Sequence, residues 1–241
     1  MNNIHKGFYA AFEGMDGVGK TTIMEAVSTE VEKRLSATNL GSNIIRTHHP
    51  GSTPLGKHIR KLVKDPASID PDIYIDDLSR QCLYIVDMIS FVRTILDPAL
   101  EYNRIVVGDR HSAISSMVYG MADGLDLKDI ERMSALVKQP RVDRLYVLTC
   151  PIDVVNERLK KSRGSTADHY DKKADDFRER LSGLYSDLVT GSPEYVAAVS
   201  RLVDIEDVLY FDTTLPMAHI VDAIASDFVR TYIERCIWAS A

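Results

Sequence analysis

The sequence predicts an α/β protein with a parallel five-stranded sheet and helices on both faces, arranged in three α/β/α layers. Two observations support this prediction. A glycine-rich motif stands between an apolar run at residues 8–12 and an amphipathic segment, and short apolar runs alternate with helical patterns along the rest of the chain. No internal repeat and no linker rich in glycine, serine or proline divides the 241 residues. We therefore expect residues 1–241 to form a single domain.

The first strand, loop and helix are the best-defined part of the sequence. The run FYAAFE is followed at residues 14–21 by GMDGVGKT, which fits the phosphate-loop pattern G-x-x-x-x-G-K-[ST]. Apolar residues then recur every four positions, as on one face of a helix: Ile23, Val27, Val31 and Leu35. This context predicts a P-loop NTPase-type fold with a nucleoside triphosphate site.

The spacing within the loop has a chemical reason. Gly14 and Gly19 permit a tight turn whose N–H groups, together with the positive end of the following helix, face an anion. Lys20 can reach the β- and γ-phosphates, and the Thr21 hydroxyl can bind Mg²⁺. We predict that the triphosphate is bound by these loop residues: Gly14, Gly17, Val18, Gly19, Lys20, Thr21 and Thr22.

The remaining strands and helices follow in alternation. We expect strands near residues 43–47, 104–108, 144–149 and 208–211, and shorter helices near 153–161, 175–189 and 216–238. The longest helix is expected at residues 76–100, with Pro98 at its end, where a helix should stop. One face of this helix carries apolar residues that should be buried: Leu78, Cys82, Ile85, Ile89, Val92 and Leu96.

Composition and charge exclude several classes of protein. The 29 Lys and Arg residues and 35 Asp and Glu residues are interspersed and give a net charge of −6, so we predict no nucleic-acid partner. The first residues lack a signal-peptide core, and no apolar run approaches the roughly 20 residues that span a bilayer. The three cysteines, Cys82, Cys150 and Cys236, are expected to be buried thiols in a reducing compartment. We expect a cytoplasmic protein without membrane contact.

Two later stretches can complete a site beside the phosphate loop. The second strand leads into THHPGSTPLGKHIR, a Pro-Gly turn and a short helix that can hold a second ligand. The third strand, IVVGD, ends at Asp109, and Arg110 follows it. A carboxylate at this position can orient Mg²⁺ with Thr21, and the arginine can grip phosphate oxygens through two parallel hydrogen bonds.

A cationic segment follows the fourth strand. Residues 158–163 carry four cations and lead into GSTADHYD. Such a run is either a solvated helix end or a lid, at about residues 158–172, that closes over the transferred phosphate. The local sequence leaves both interpretations open.

Several motifs resemble those of the thymidylate kinase family, and they occur in the family's order over roughly residues 8–230. FEGMDGVGKTT is similar to the family's phosphate loop, THHPGSTPL to its T-R-E-P-G-G-T-P-L stretch, and LDPAL with VVGDRH to the end of its long helix and its D-R motif. RGSTADH resembles its lid, and Phe177, Arg180 and Tyr185 match its F-x-x-R-x-x-x-x-Y helix.

The resemblance implies a nucleoside monophosphate kinase that transfers the γ-phosphate of ATP to dTMP, with Mg²⁺, in a homodimer. It implies that Asp16 binds the sugar 3′-hydroxyl, that Tyr84 stacks on the acceptor base and that Tyr119 excludes a 2′-hydroxyl. The substrate-binding residues that it implies are Asp16, Pro50, Tyr84, Met88, Arg110, Ser115 and Tyr119. The catalytic residues that it implies are Lys20, Asp109, Arg110 and the lid arginines Arg158 and Arg163.

The sequence also departs from the family pattern. Met88 occupies the position of the arginine that reads the base, His48 and His49 replace Arg-Glu, and His169 stands at a lid-arginine position. One alternative is therefore the same reaction on dUMP or a modified pyrimidine. A second is a deoxynucleoside kinase with Glu13 as the general base, and a third is a nucleotide-binding regulatory module without catalysis.

Overall fold

A computed structural model describes residues 7–38, 43–163, 173 and 175–238, with the side chains of 162, 163, 175 and 236–238 outside the description. Five parallel strands form one sheet in the order β2-β3-β1-β4-β5. The strands are β1 (Phe8–Glu13), β2 (Ile44–His48), β3 (Ile105–Asp109), β4 (Arg144–Thr149) and β5 (Val208–Asp212). All five predicted strands are present, which confirms the α/β class.

Four of the five strands reach further toward their carboxyl ends than predicted, into polar residues. In the register of the sheet, Phe12 and His48 both lie opposite Asp109. Because the strands are parallel, the polar residues that follow β1, β2 and β3 meet at one edge of the sheet. This edge holds the candidate site.

Helices connect the strands as a parallel sheet requires. They are α1 (Lys20–Ser36), α2 (Pro54–Lys64), α3 (Asp77–Phe91), α4 (Asp97–Glu101), α5 (Ser112–Ala122), α6 (Leu127–Ser134), α7 (Ile152–Arg163), α8 (Asp175–Ser186), α9 (Pro193–Ser200) and α10 (Met217–Trp238). The prediction missed α5, α6 and α9. Helices α6 and α9 are only eight residues long, and α5 is so fully buried that it lacks an alternating polar face.

The long helix differs from its prediction in two ways. A π-helical turn, Val92–Leu96, joins α3 to α4, and Pro98, whose nitrogen has no hydrogen to donate, follows shortly after this turn. The predicted buried face is confirmed in part, because Ile85, Val92 and Leu96 are buried whereas Leu78 is 53% exposed. The buried face also includes polar residues that bond to neighbouring elements, namely Arg80, Gln81 and Asp87. A pattern that counts only apolar residues misses such a face.

Cys82 lies four residues after Leu78 and is also exposed, so the prediction of a buried thiol is wrong for this cysteine. Cys150 is partly exposed, and the side chain of Cys236 lies outside the described residues. In the part of the chain that the structure describes, no helix is both long and apolar enough to cross a membrane.

Candidate active site

The phosphate loop joins β1 to α1 at the polar edge of the sheet. Gly14 has φ +134°, and a Cβ atom there would lie 2.2 Å from the carbonyl oxygen of Leu148 on the neighbouring strand β4. Only glycine fits a backbone that turns so close to another strand. The turn brings the loop amides to the N-terminus of α1, where helix N–H groups attract anions.

Lys20 lies at the bottom of this loop. Its side chain is 6% exposed, and its Nζ donates a hydrogen bond to the carbonyl of Met15 at 2.9 Å and lies 3.7 Å from Asp16 Oδ1. Burial and then the nearby Arg110 guanidinium lower the pKa of Lys20 to about 8, against the opposing effect of neighbouring carboxylates. The ammonium group is thus held in place with little solvation, so a phosphate oxygen is a favourable partner for it.

Thr21 and Asp109 meet across the loop. The Thr21 hydroxyl donates to Asp109 Oδ2 at 2.5 Å, so both oxygens are within reach of a single small cation. Mg²⁺ prefers oxygen ligands and is commonly held by one or two carboxylates together with substrate phosphates. The predicted metal residues therefore fit the ion chemically.

Arg110 is the centre of the site's hydrogen-bond network. Its φ of 84° is unusual for a residue other than glycine, and its backbone N–H donates to the carbonyl of Phe12 at 2.9 Å. The guanidinium donates to five oxygens: Asp16 Oδ1 at 2.6 Å, Tyr119 OH at 2.9 Å, Tyr185 OH at 3.0 Å, the Gly14 carbonyl at 3.2 Å and Ser115 Oγ at 3.3 Å. It also lies over the ring of Tyr119, 4.9 Å from the ring centroid. These contacts fix its planar group beside the phosphate loop.

Glu13 is a buried hydrogen-bond acceptor in this network. It is fully buried, and its carboxylate accepts from the His111 amide at 2.8 Å, from Ser115 Oγ at 2.8 Å and from Tyr185 OH at 2.9 Å. Burial raises the pKa of Glu13, and Arg110, 3.6 Å away, opposes that rise. Because Glu13 does not line the cavity and its oxygens are occupied, the structure gives it a supporting position rather than that of a general base for a sugar hydroxyl.

A cavity of about 430 Å³ opens in front of these groups. It brings together most of the residues that the sequence singled out. Those that line it are Asp16, Lys20, Thr21, Pro50, Tyr84, Asp109, Arg110, Ser115 and Tyr119. The two halves of the predicted site, the phosphate loop and the acceptor side, therefore share one cavity.

Other predicted residues lie elsewhere. Met88 is 0% exposed and does not line the cavity, so its predicted contact with substrate has no support in this geometry. The guanidinium of Arg158 donates to the carbonyl of Val18 at 3.2 Å and to the carbonyl and hydroxyl of Thr213 at 2.8 and 2.9 Å, which ties α7 to the phosphate loop. The side chain of Arg163 and lid residues 164–172 lie outside the described residues.

Several residues that line the cavity were not predicted from the sequence. Arg60 and Lys64 come from α2, and Ser116 follows Ser115 on α5. His48 and His49 also line it, and burial and then Arg60 lower the pKa of His48. The sequence could have predicted that Arg60 and Lys64 lie on one face of α2, because they are four residues apart. It could not have predicted Ser116, because the sequence does not show which of two adjacent serines faces the cavity.

Comparison with known proteins agrees with the geometry. Residues 12–209 match the family model described as thymidylate kinase. The chain belongs to the thymidylate kinase family. Among curated thymidylate kinases, that of Caldicellulosiruptor saccharolyticus is 33% identical over 178 residues, covering 73% of this chain and 80% of the relative. That of Bifidobacterium longum is 30% identical over 208 residues, covering 84% and 93%.

A solved structure supports the fold. The crystal structure of thymidylate kinase from Ehrlichia chaffeensis superposes with a TM-score of 0.64 and 19% sequence identity, covering 92% of this chain and 98% of that one. The fold of this member of the thymidylate kinase family is accordingly of the P-loop NTPase type, and the chain is an ATP-dependent phosphotransferase.

Proposed function

We propose that this protein transfers the γ-phosphate of ATP to the 5′-phosphate of dTMP, giving ADP and dTDP. The observation that carries the proposal is the position of Arg110, whose guanidinium contacts the phosphate loop at Gly14 and the acceptor side at Asp16 and Tyr119. A group placed between two phosphate sites can bind oxygens of both reactants. The relatives matched by this chain carry the same function in their names.

The proposed chemistry depends on position and charge. The acceptor phosphate is already an oxyanion at neutral pH, so the reaction needs little base catalysis. Lys20 and Arg110 hold the donor and acceptor phosphates in line and stabilise the negative charge that develops between them. Tyr84 lies on the cavity wall, where we expect it to stack on the acceptor base. Tyr119 accepts a hydrogen bond from the same Arg110 nitrogen as Asp16, and we expect these two residues to contact the sugar.

We further propose that Thr21 and Asp109 hold Mg²⁺ with the ATP phosphates. When bound, the ion neutralises phosphate charge. Of the two lid arginines, Arg158 is engaged with Thr213 and Val18, so Arg163 is the better candidate to reach the transferred phosphate. A single domain, a homodimer and a cytoplasmic location, without nucleic-acid or membrane partners, complete the proposal.

The decisive experiment is ATP consumption with Mg²⁺ against a panel of dTMP, dUMP, dCMP, dGMP, UMP and thymidine. We expect dTMP to be the best acceptor, with UMP and thymidine poor because they add a 2′-hydroxyl or lack the 5′-phosphate. Preference for dUMP would retain the mechanism and change the base, an alternative that Met88 motivates. Turnover of thymidine in place of dTMP, or no turnover of any acceptor, would contradict the proposal.

A further inference from the structure

Lys64, the last residue of α2, forms part of the cavity wall beside the phosphate loop. Its side chain is 23% exposed, and its Nζ lies 4.0 Å from Oδ2 of Asp16. Arg60 lies one helical turn earlier and also lines the cavity, where its guanidinium donates to the carbonyl of Pro50 at 3.0 Å. Helix α2 thus brings two cations to the cavity, and Lys64 places its charge next to Asp16.

The two oxygens of the Asp16 carboxylate have different neighbours. Oδ1 accepts a hydrogen bond from Arg110 at 2.6 Å and lies 3.7 Å from Nζ of Lys20. Oδ2 faces Lys64 at 4.0 Å, which is longer than the roughly 3.2 Å limit of a good hydrogen bond. One oxygen atom about 2.8 Å from both Oδ2 and Nζ would bridge a gap of this width. A ligand oxygen can therefore bind between the carboxylate and the ammonium group.

The chemistry of this pair selects the kind of ligand atom. An ammonium group only donates hydrogen bonds and an ionised carboxylate only accepts them, so a single bridging atom must accept from Lys64 and donate to Asp16. In dTMP the ionised phosphate and the base carbonyls only accept, the base N–H only donates, and the 3′-hydroxyl does both. Asp16 also shares a hydrogen bond with Arg110, beside the proposed position of the 5′-phosphate, and the sugar is the part of the acceptor next to that phosphate. The 3′-hydroxyl is therefore the group of dTMP that matches the pair.

We propose that Lys64 is a specificity-determining residue, which donates a hydrogen bond to the 3′-oxygen of the acceptor while Asp16 accepts one from the same hydroxyl. This inference rests on the proposed function and names the sugar that the site accepts, a 2′-deoxyribose with a free 3′-hydroxyl. An acceptor without that hydroxyl leaves the ammonium group and the carboxylate with no bridging atom. A site built to bind a hydroxyl in this way rejects an analogue that lacks it.

The test measures kcat and KM for dTMP and for its 3′-deoxy analogue with the wild-type protein and Lys64→Met. Wild-type protein should prefer dTMP by about tenfold or more in kcat/KM. Lys64→Met should lower this preference by about threefold to tenfold, because dTMP loses a hydrogen bond that the analogue never made, and the KM for ATP should not change. Lys61→Met changes an exposed lysine of the same helix that does not line the cavity, so this matched control should keep the wild-type preference.

An analogue with the opposite hydrogen-bonding character gives a second test. The protonated 3′-amino analogue of dTMP can donate to Asp16 but cannot accept from Lys64, and its charge repels the ammonium group. Wild-type protein should therefore use it poorly. Lys64→Glu replaces the cation with an acceptor and should shift the preference from dTMP toward the 3′-amino analogue.

Three outcomes would overturn the inference while leaving the proposed function intact. The first is equal use of dTMP and its 3′-deoxy analogue by wild-type protein, a measurement that needs no variant. The second is a Lys64→Met protein in which both acceptors weaken by the same factor, since Lys64 would then act only as a cation for the acceptor phosphate or as a structural residue. The third is a preference in Lys64→Glu that does not move toward the 3′-amino analogue. Wild-type protein without activity on dTMP would overturn the inference and the proposed function together.

Discussion

Arg110 shows how much of the site depends on single side chains. Its guanidinium donates to five oxygens from three parts of the chain, namely the phosphate loop, α5 and α8. The buried Glu13 carboxylate lies 3.6 Å from it and accepts a hydrogen bond from Tyr185. Its backbone lies in the left-handed region, which costs free energy that the surrounding hydrogen bonds must offset. Such a residue is positioned before substrate arrives, and preorganised groups of this kind contribute strongly to catalysis.

Replacing Arg110 with lysine tests whether the planar group, beyond the charge, is needed. Arg110→Lys keeps one positive charge but loses the fork that reaches Asp16 and Tyr119 together. We expect kcat to fall by about 100-fold or more in a coupled ADP-release assay. Arg132→Lys, at an exposed pair with Asp129, is the control and should leave kcat within twofold. A rate within tenfold of wild type for Arg110→Lys would show that charge alone suffices.

Lys20 leads to a prediction about pH. Its pKa of about 8 in the free protein means that deprotonation begins near neutral pH, and the neutral amine no longer attracts phosphate. ATP binding must then restore the proton, so affinity should fall by about fivefold between pH 8 and pH 9. Isothermal titration calorimetry in two buffers of different ionisation enthalpy would measure both the affinity and the proton uptake.

The matching variant is Lys20→Met. It should bind ATP more weakly than the wild-type protein, and its affinity should change much less between pH 8 and pH 9. Lys33→Met changes an exposed lysine and should keep the wild-type dependence. Equal affinity of the wild-type protein at pH 8 and pH 9 would contradict a lowered pKa for Lys20.

At the scale of elements, α7 packs closely against the phosphate loop. Gly17 has φ +88°, and a Cβ atom there would lie 2.9 Å from Leu159 Cγ and 3.1 Å from Val155 Cγ1, both on α7. Arg158 on the same helix bonds to the carbonyl of Val18. Glycine at position 17 therefore permits α7, the helix that leads into the lid, to pack directly on the loop.

Substituting Gly17 with alanine should disturb both partners of this contact. The new Cβ must displace α7, and alanine is strained at a positive φ, so we expect a loss of about 1–3 kcal/mol of stability and weaker ATP binding. Thermal unfolding and ATP titration would measure the two effects. Gly183→Ala is the matched control, because nothing lies within 4 Å of its Cβ position in α8 and alanine favours helices. A Gly17→Ala protein that is as stable as the control and binds ATP normally would contradict a close contact between α7 and the loop.

At the scale of the whole molecule, the two ends of the described chain pack together. Arg34 of α1 bonds to Asp222 at 2.7 Å and Ser226 at 2.8 Å of α10, and the rings of Phe8 in β1 and Phe228 in α10 lie 4.9 Å apart. Since β1 is the central strand, the last helix packs against the middle of the sheet, at the first residue of the strand that leads into the phosphate loop. One continuous core thus includes the first and the last elements.

This packing predicts that the protein unfolds as one unit. Circular dichroism and tyrosine fluorescence should report a single coincident thermal transition. ATP at about 100 times its Kd should stabilise the fold by about 2.7 kcal/mol and raise the whole transition by about 5–10 °C. Two separate transitions, or a shift of only one of them with ATP, would contradict a single domain.

The sequence by itself determined the fold class, the five strands and the phosphate loop. These features depend on residues that are close along the chain: an apolar run, glycines at fixed spacing and a lysine at a helix start. It also pointed to Asp109 and Arg110, because the ends of parallel strands must share one edge. The resemblance to a known family added Asp16, Tyr84 and Tyr119 on the acceptor side, and the structure places all three at the cavity.

Only the tertiary structure decided which side chains face that cavity. The contact between Tyr185 and Glu13 spans 172 positions, and that between Gln81 and Ser116 spans 35. No local pattern encodes such pairs, since a buried polar residue is tolerated only where a distant partner happens to bond it. For the same reason Met88 could not be excluded from the site, nor Ser116 included, until α3 and α5 were packed against each other.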